Sequence, residues 1–314
     1  MDKKRFQKTP IHFGQYMALK TLCGLLRLPP YRTAIFLGTS LISLTRFLFP
    51  KRLARMQQDI ALAFPKKSPE QVKQIAVESW RNMGRIFAEF IQLSSMNANQ
   101  FKKHCRIEGI EKLQQAQGTT GGIIHIGHFT NWEAFGLAAS AYGFDKAVLA
   151  QRVDNPYVDQ ETNRLRNIFT GHTFYSNHQD RPFFTCIRWL KNKKILGILF
   201  DQNTVSGEVW ASFLGRTAAF SPITALLAIK AQVPVFPVYV TREPNGQLIC
   251  HIDNPVWPPK QYSLPNVRSF TRTLIDYYEK WTRQDPAAWL WAHNRWKRER
   301  EGNEYLALHP EERV

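Results

Sequence analysis

Two apolar stretches open the chain. Met17–Leu28 is apolar with Lys20 and Arg27 interspersed, and Ala34–Phe49 (AIFLGTSLISLTRFLF) carries Arg46 as its only charge. Both fall short of the about 20 apolar residues that a spanning helix needs. Ser68-Pro69-Glu70-Gln71 then reads as a helix start: an N-cap serine, proline at the first position and glutamine three residues on. The helix is predicted to run to about Leu93, with Val72, Ile75, Ala76, Trp80, Met83, Ile86 and Phe87 on one face. Beyond it the pattern changes. Gly121–Ile126, Ala147–Ala150, Ile195–Phe200 and Val233–Val240 read as short buried strands, and Leu248–Ile252 as a further one. Helical patterns at Trp132–Ala141, Gln160–Phe169, Phe183–Lys191 and Ile223–Ala231 separate them, and a last helix covers about Val267–Trp281. Strands alternating with helices of this length predict an α/β fold, a mainly parallel central sheet flanked by helices.

Charge changes the picture at the N-terminus. The 314-residue chain has a net charge of +17, and residues 1–58 hold eleven Lys/Arg against Asp2 alone, a net +10. Basic, acid-free flanks beside apolar runs are what an anionic inner leaflet attracts. Residues 1–58 therefore read as a basic segment that associates with the membrane, and residues 59–314 as the α/β domain. A pair of ordinary core helices with basic exposed faces is the competing reading. No small-residue cleavage site follows Phe49, which disfavours a secretory signal. The four cysteines are dispersed at 23, 105, 186 and 250 with no C-x-x-C, which points to free thiols in a reducing compartment. A nucleic-acid partner is not expected, because no helix-turn-helix, zinc-finger or RNP-type motif accompanies the charge.

Candidate chemistry collects after the strands, where open α/β sheets build their sites. The first strand runs into Gly127-His128-Phe129-Thr130-Asn131-Trp132-Glu133. Glu133, in the first turn of the next helix, is placed to reach one nitrogen of His128 and leave the other free as a general base. The spacing alone is weak, since about 0.7 such pairs are expected by chance and one is found. Thr130-x-x-Glu133 is also a legitimate capping box, so both readings stay open. His125 and His128 fall on opposite faces of a strand, which argues against a metal pair, and no metal or cofactor is expected. Arg152 and Asn155 follow the second strand, with Arg164 and Arg166 one or two turns on. Asp201 and Gln202 follow the third, and a Gly-bounded loop, Gly207–Gly215, ends in Arg216. Such an edge suits an anionic substrate or a developing oxyanion.

These blocks resemble the late acyltransferases of lipid A biosynthesis, the lauroyl/myristoyl transferases of the lysophospholipid acyltransferase superfamily. The resemblance covers about residues 17–300. It rests on Ala63-Phe64-Pro65; His128-Phe129-x-Asn131-Trp132-Glu133; Arg152-x-x-Asn155-Pro156-x-x-Asp159 with Arg164 and Arg166; Asp201-Gln202; Gly207–Gly215 with Phe213; Pro234-Val235-x-Pro237; and Trp291-x-His293-x-Arg295-Trp296-Lys297. It implies transfer of a fatty acyl chain from acyl carrier protein to a hydroxyl of a 3-hydroxyacyl chain on a lipid A precursor, at the cytoplasmic face of a bacterial inner membrane. By the same similarity His128 is the base, Glu133 its orienting carboxylate, and both are catalytic. Arg152, Asn155, Arg164, Arg166, Asp201, Gln202 and Arg216 are substrate-binding. The sequence departs from the pattern at Asp59, where an asparagine is common. Phe213-Leu214-Gly215-Arg216 differs from the phosphate loop of the glycerolipid branch, which disfavours a glycerol-phosphate acceptor.

No G-x-S-x-G elbow is present, so direct attack without an acyl-enzyme is expected. The nearest alternative is a lysophospholipid or glycerol-phosphate acyltransferase with the same chemistry, and a thioesterase-like reaction stands beside it. A non-catalytic membrane-bound binder of acidic proteins is the alternative from another class. The C-terminal Trp289, Trp291 and Trp296, with their basic neighbours, read equally as a docking patch or as packed core.

Overall fold

The computed structural model describes residues 8–168, 171–175, 182–204 and 208–314. Four helices come first: α1 (Pro10–Arg27), α2 (Tyr31–Thr45), α3 (Pro50–Ala63) and α4 (Pro69–Leu93). The chain then alternates through α5 (Ala98–His104), β1 (Cys105–Glu108), α6 (Ile110–Ala116), β2 (Gly122–Ile126), α7 (Trp132–Ala141), β3 (Lys146–Ala150), α8 (Pro156–Arg166), β4 (His172–Tyr175), α9 (Pro182–Lys191) and β5 (Ile195–Leu199). It continues with β6 (Val209–Phe213), β7 (Arg216–Phe220), α10 (Ile223–Ala231), β8 (Val235–Arg242), β9 (Leu248–Ile252), α11 (Leu264–Gln284) and α12 (Glu299–Leu308).

Seven strands form one sheet in the order β1-β9-β8-β2-β5-β3-β4. Every neighbouring pair is parallel except β8 and β9, which are antiparallel. The α/β architecture and mainly parallel sheet are those expected. β2 lies at the centre and is buried at all five positions, which is why it reads as a continuous apolar run. Cys105 and Cys250, remote in sequence, meet across β1 and β9 with their sulfurs 3.5 Å apart. Gly207 lies outside the described residues. The rest of the loop expected to reach Gly215 is instead the first arm of a β6–β7 hairpin, which turns at Leu214 (φ 53°) and Gly215 (φ 81°). Two residues with positive φ match the twist of paired strands.

The N-terminal helices pack on the α/β layer. α4 starts at the expected capping box, with Ser68 and Gln71 reciprocally bonded. α2 crosses α4 where both helices carry glycine. A Cβ on Gly84 would sit 2.6 Å from the carbonyl oxygen of Gly38, and a Cβ on Gly38 2.6 Å from the Cβ of Ala88. The opposite side of α2 is apolar yet outward-facing, with Phe36 69% exposed and Leu37, Leu41 and Leu44 beside it. Among the described residues no single helix is long and apolar enough to cross a membrane; α2 and α3 pass together but are bent by 96°.

Candidate active site

β2 and β5 are adjacent and parallel, with Ile126 opposite Leu199, so the residues that leave them at the carboxyl edge emerge side by side. Gly127 makes the exit from β2. A side chain there would meet Tyr278 Cε1 at 2.4 Å. His128 follows, and Asp201 stands in the matching place after β5. The Asp201 carboxylate lies 2.6 Å from His128 Nδ1 through Oδ1 and accepts the His128 backbone N–H at 2.9 Å through Oδ2. Oδ2 also accepts the indole N–H of Trp289 at 2.7 Å. Burial opposes ionisation of Asp201, but His128 and the three hydrogen bonds outweigh it and hold the group well below the usual carboxylate range. The Gln202 side-chain nitrogen is 3.2 Å from the other imidazole nitrogen, Nε2. With Nδ1–H donating to Asp201, Nε2 is the acceptor, open toward the exposed Gln202.

The expected partner of His128 is placed elsewhere. Glu133 faces α8, where Arg166 Nε donates to it at 3.0 Å and the second guanidinium nitrogen closes a bidentate pair. The buried Lys146 ammonium stands near the same carboxylate, and burial lowers its pKa to about 8. Asp201 thus holds the position assigned to Glu133, because strand adjacency brings it to Nδ1 while an arginine on α8 engages the glutamate. The capping-box reading is corrected as well: Asn131 caps α7, accepting from Ala134 N at 3.0 Å.

The loop carrying His128 is clamped from outside. Thr130 has φ 47°, a conformation that costs energy for a β-branched residue and must be held by its surroundings. Its N–H donates to Ala288 O at 2.9 Å, Leu290 N–H donates to His128 O at 3.1 Å, and Asn82 Nδ2 donates to Thr130 O at 3.1 Å. Asn131 Nδ2 donates to the buried Glu89, which is paired bidentately with Arg242. The Trp132 ring packs edge-on to His128 with centroids 4.5 Å apart. His293 Nε2 accepts the Asn203 N–H at 2.9 Å and so fixes the strand exit that carries Asp201. Burial lowers the His293 pKa to about 4. Arg295 is fully buried over the Phe220 ring at 3.9 Å, its pKa lowered by burial to about 9 with Asp201 the charge that opposes this.

The other expected site residues are dispersed. Asn155 caps α8 and ties it to α1 through His12 O at 2.8 Å. Arg164 is half exposed and bonded to Glu161. Arg152 lies over the Tyr175 ring at 4.6 Å and lines a cleft of about 280 Å³ with Asp159 and Asn163. Arg216 is bound by Glu299 and by Asp59, the latter at 2.8 Å, so the departure at Asp59 answers a cation. Trp289, Trp291 and Trp296 are packed core. Sequence reasoning missed Glu89, Asn82 and the bond from Trp289 to Asp201. Glu89 and Asn82 carried a faint signal, as polar residues on the face of α4 that the apolar pattern buries. Among the described residues no three His, Cys, Asp or Glu side chains are grouped to hold a metal ion.

Residues 2–298 match the family described as bacterial lipid A biosynthesis acyltransferase. The chain belongs to that family. It is 23% identical to the lipid A biosynthesis lauroyltransferase of Escherichia coli (strain K12) over 285 residues, 87% of this chain and 88% of that one. It is 27% identical to the lipid A biosynthesis palmitoleoyltransferase of the same organism over 108 residues, 34% of this chain. That match spans 35% of the relative, about a third of its length. A solved 1-acyl-sn-glycerophosphate acyltransferase of Thermotoga maritima is 15% identical, aligned over 79% of this chain and 95% of that one at a TM-score of 0.36, too low to bear on the fold.

Proposed function

We propose that this family member is an O-acyltransferase that moves a fatty acyl chain from an acyl carrier protein thioester to a hydroxyl of a 3-hydroxyacyl chain on a lipid A precursor. The observation that carries the chemistry is the orientation of His128: Nδ1–H is committed to Asp201, and Nε2 opens toward exposed Gln202. The acceptor hydroxyl displaces the Gln202 amide and gives its proton to Nε2 as its oxygen attacks the thioester carbonyl. The C–S bond then breaks, and the departing thiolate takes the proton back from the imidazolium. Asp201 stabilises the charged ring throughout. Glu133 supports the site through Arg166 and Lys146 rather than through the imidazole.

The enzyme works at the cytoplasmic face of the inner membrane. Support comes from the outward apolar side of α2 and the net +10 of residues 1–58, which complement an anionic leaflet. Acyl carrier protein is acidic and is drawn by the same charge.

Mass spectrometry of the lipid product tests the reading. Wild type, His128→Ala and Asp201→Asn are each incubated with acyl-carrier-protein thioester and an under-acylated lipid A precursor, and separately with lysophospholipid and glycerol phosphate. The expected result is a lipid A product heavier by acyl groups, lost in both variants. Acylation of the glycerolipids alone moves the acceptor; acylation that persists in both variants removes the base assignment.

A further inference from the structure

We propose that a second cleft, which shares Glu89 and Arg242 with the clamp on the His128 loop but is not lined by His128, binds the anionic phosphate headgroup of a membrane lipid. The cleft has a volume of about 620 Å³ and lies between the first turn of α2, the middle of α4, the end of α5 and the β8–β9 turn. Four cations line it: Arg32 on α2, Arg85 on α4, Lys103 on α5 and Arg242 at the end of β8. One carboxylate, Glu89, lines it, and that group is already shared between Arg242 and Asn131. Arg85 is paired with Glu78. Arg32 and Lys103 are exposed and have no carboxylate partner among the described residues. The wall carries Tyr31, whose ring lies 4.1 Å from that of His104 and whose hydroxyl has no hydrogen-bond partner among the described residues. Cations converging from four elements with too few carboxylates make a site for a compact anion, and guanidinium forks match phosphate geometry.

The position of the cleft selects a lipid as the source. Arg32 is one helical turn before Phe36 on the outward apolar side of α2, and Leu28, at the junction with α1, is 82% exposed. The rim that holds the cations therefore continues into a surface of apolar side chains. A lipid lying against that surface presents its headgroup at the level of Arg32 and Lys103. The choice of a lipid rests on the membrane reading above; the phosphate chemistry rests on the cleft alone.

Calorimetric titration of the full chain, without acyl donor, tests the site with dihexanoyl phosphatidate, dihexanoyl phosphatidylcholine and inorganic phosphate. Phosphatidate is expected to bind, and the Arg32→Gln/Lys103→Gln double variant to weaken it about tenfold or more. Lys51→Gln/Arg52→Gln, the same charge change on α3 outside the cleft, is expected to leave it unaltered. Inorganic phosphate competing as well as phosphatidate assigns the site to phosphate itself; weaker competition assigns it to headgroup and chain together. Equal binding of phosphatidylcholine, or an equal loss in the α3 control, overturns the proposal. Acyl transfer is not read in this assay, so failure of the enzymatic reading leaves its outcome intact.

Discussion

Asp201 Oδ1 stands 2.6 Å from Nδ1 of His128, and its second oxygen accepts both the His128 backbone N–H and the Trp289 indole. One carboxylate thus fixes ring, backbone and neighbouring segment together. Asp201→Asn keeps the shape but presents an amide where Nδ1–H needs an acceptor. We expect kcat to fall about a thousandfold with KM little changed. Steady-state kinetics check this, and a loss confined to KM would contradict it.

Glu133→Gln separates the two carboxylates. It leaves Arg166 and Lys146 without their counter-charge in a largely buried cluster. The expected effect is a loss of about 2–3 kcal/mol in urea unfolding, with the pH–rate profile unchanged in shape at a temperature where the variant is folded. A shifted profile would return Glu133 to the imidazole.

Arg216→Gln addresses the residue expected to hold substrate. Asp59 and Glu299 engage its guanidinium, so the variant should lose about 2–4 kcal/mol of stability and keep the KM for both substrates. A raised KM with normal stability would restore the substrate role.

Acid should destabilise the protein through His125. Its ring is fully buried between Phe200 and Tyr278, at 4.4 and 5.0 Å, and burial lowers its pKa from 6.5 to about 3. Between those values the unfolded chain takes up a proton that the folded chain refuses, so stability falls as pH drops below 6.5. His125 alone contributes about 1.4 kcal/mol per pH unit, and His293 adds to the slope down to its lower limit. Urea midpoints at pH 7.5 and 5.5 measure it, and His125→Leu should flatten it.

Under the proposed function activity should also decline as ionic strength rises, because that reading sets a chain of +17 against an anionic bilayer and an acidic donor. Rates equal at low and high salt would remove the electrostatic account.

Much of the fold was legible because burial writes itself into period and run length. β2, β5 and the capping box that starts α4 were readable from a handful of residues each. The site was legible only in part. His128 and Asp201 were both found, each at a strand exit, yet they were not paired, because sequence gives the exits without the strand order. Glu133 drew attention through its nearness along the chain. Its partner, Arg166, lies on a different helix, and helix packing is not written in spacing. The hairpin at Leu214–Gly215 reads as a loop in the sequence because Ser212, Arg216 and Thr217 interrupt the apolar run of its strands and its turn puts a leucine at positive φ.

The clamp on the His128 loop is built from residues far apart in the chain: Asn82 from α4, Asp201 after β5, and Ala288–Leu290 beyond α11. During synthesis the ribosome must pass Leu290 before Trp289 can close on Asp201 and its neighbours can pin Thr130. Catalytic competence is therefore acquired late, after the sheet strands have all been made, and a nascent chain exposes its basic N-terminal helices well before it can act.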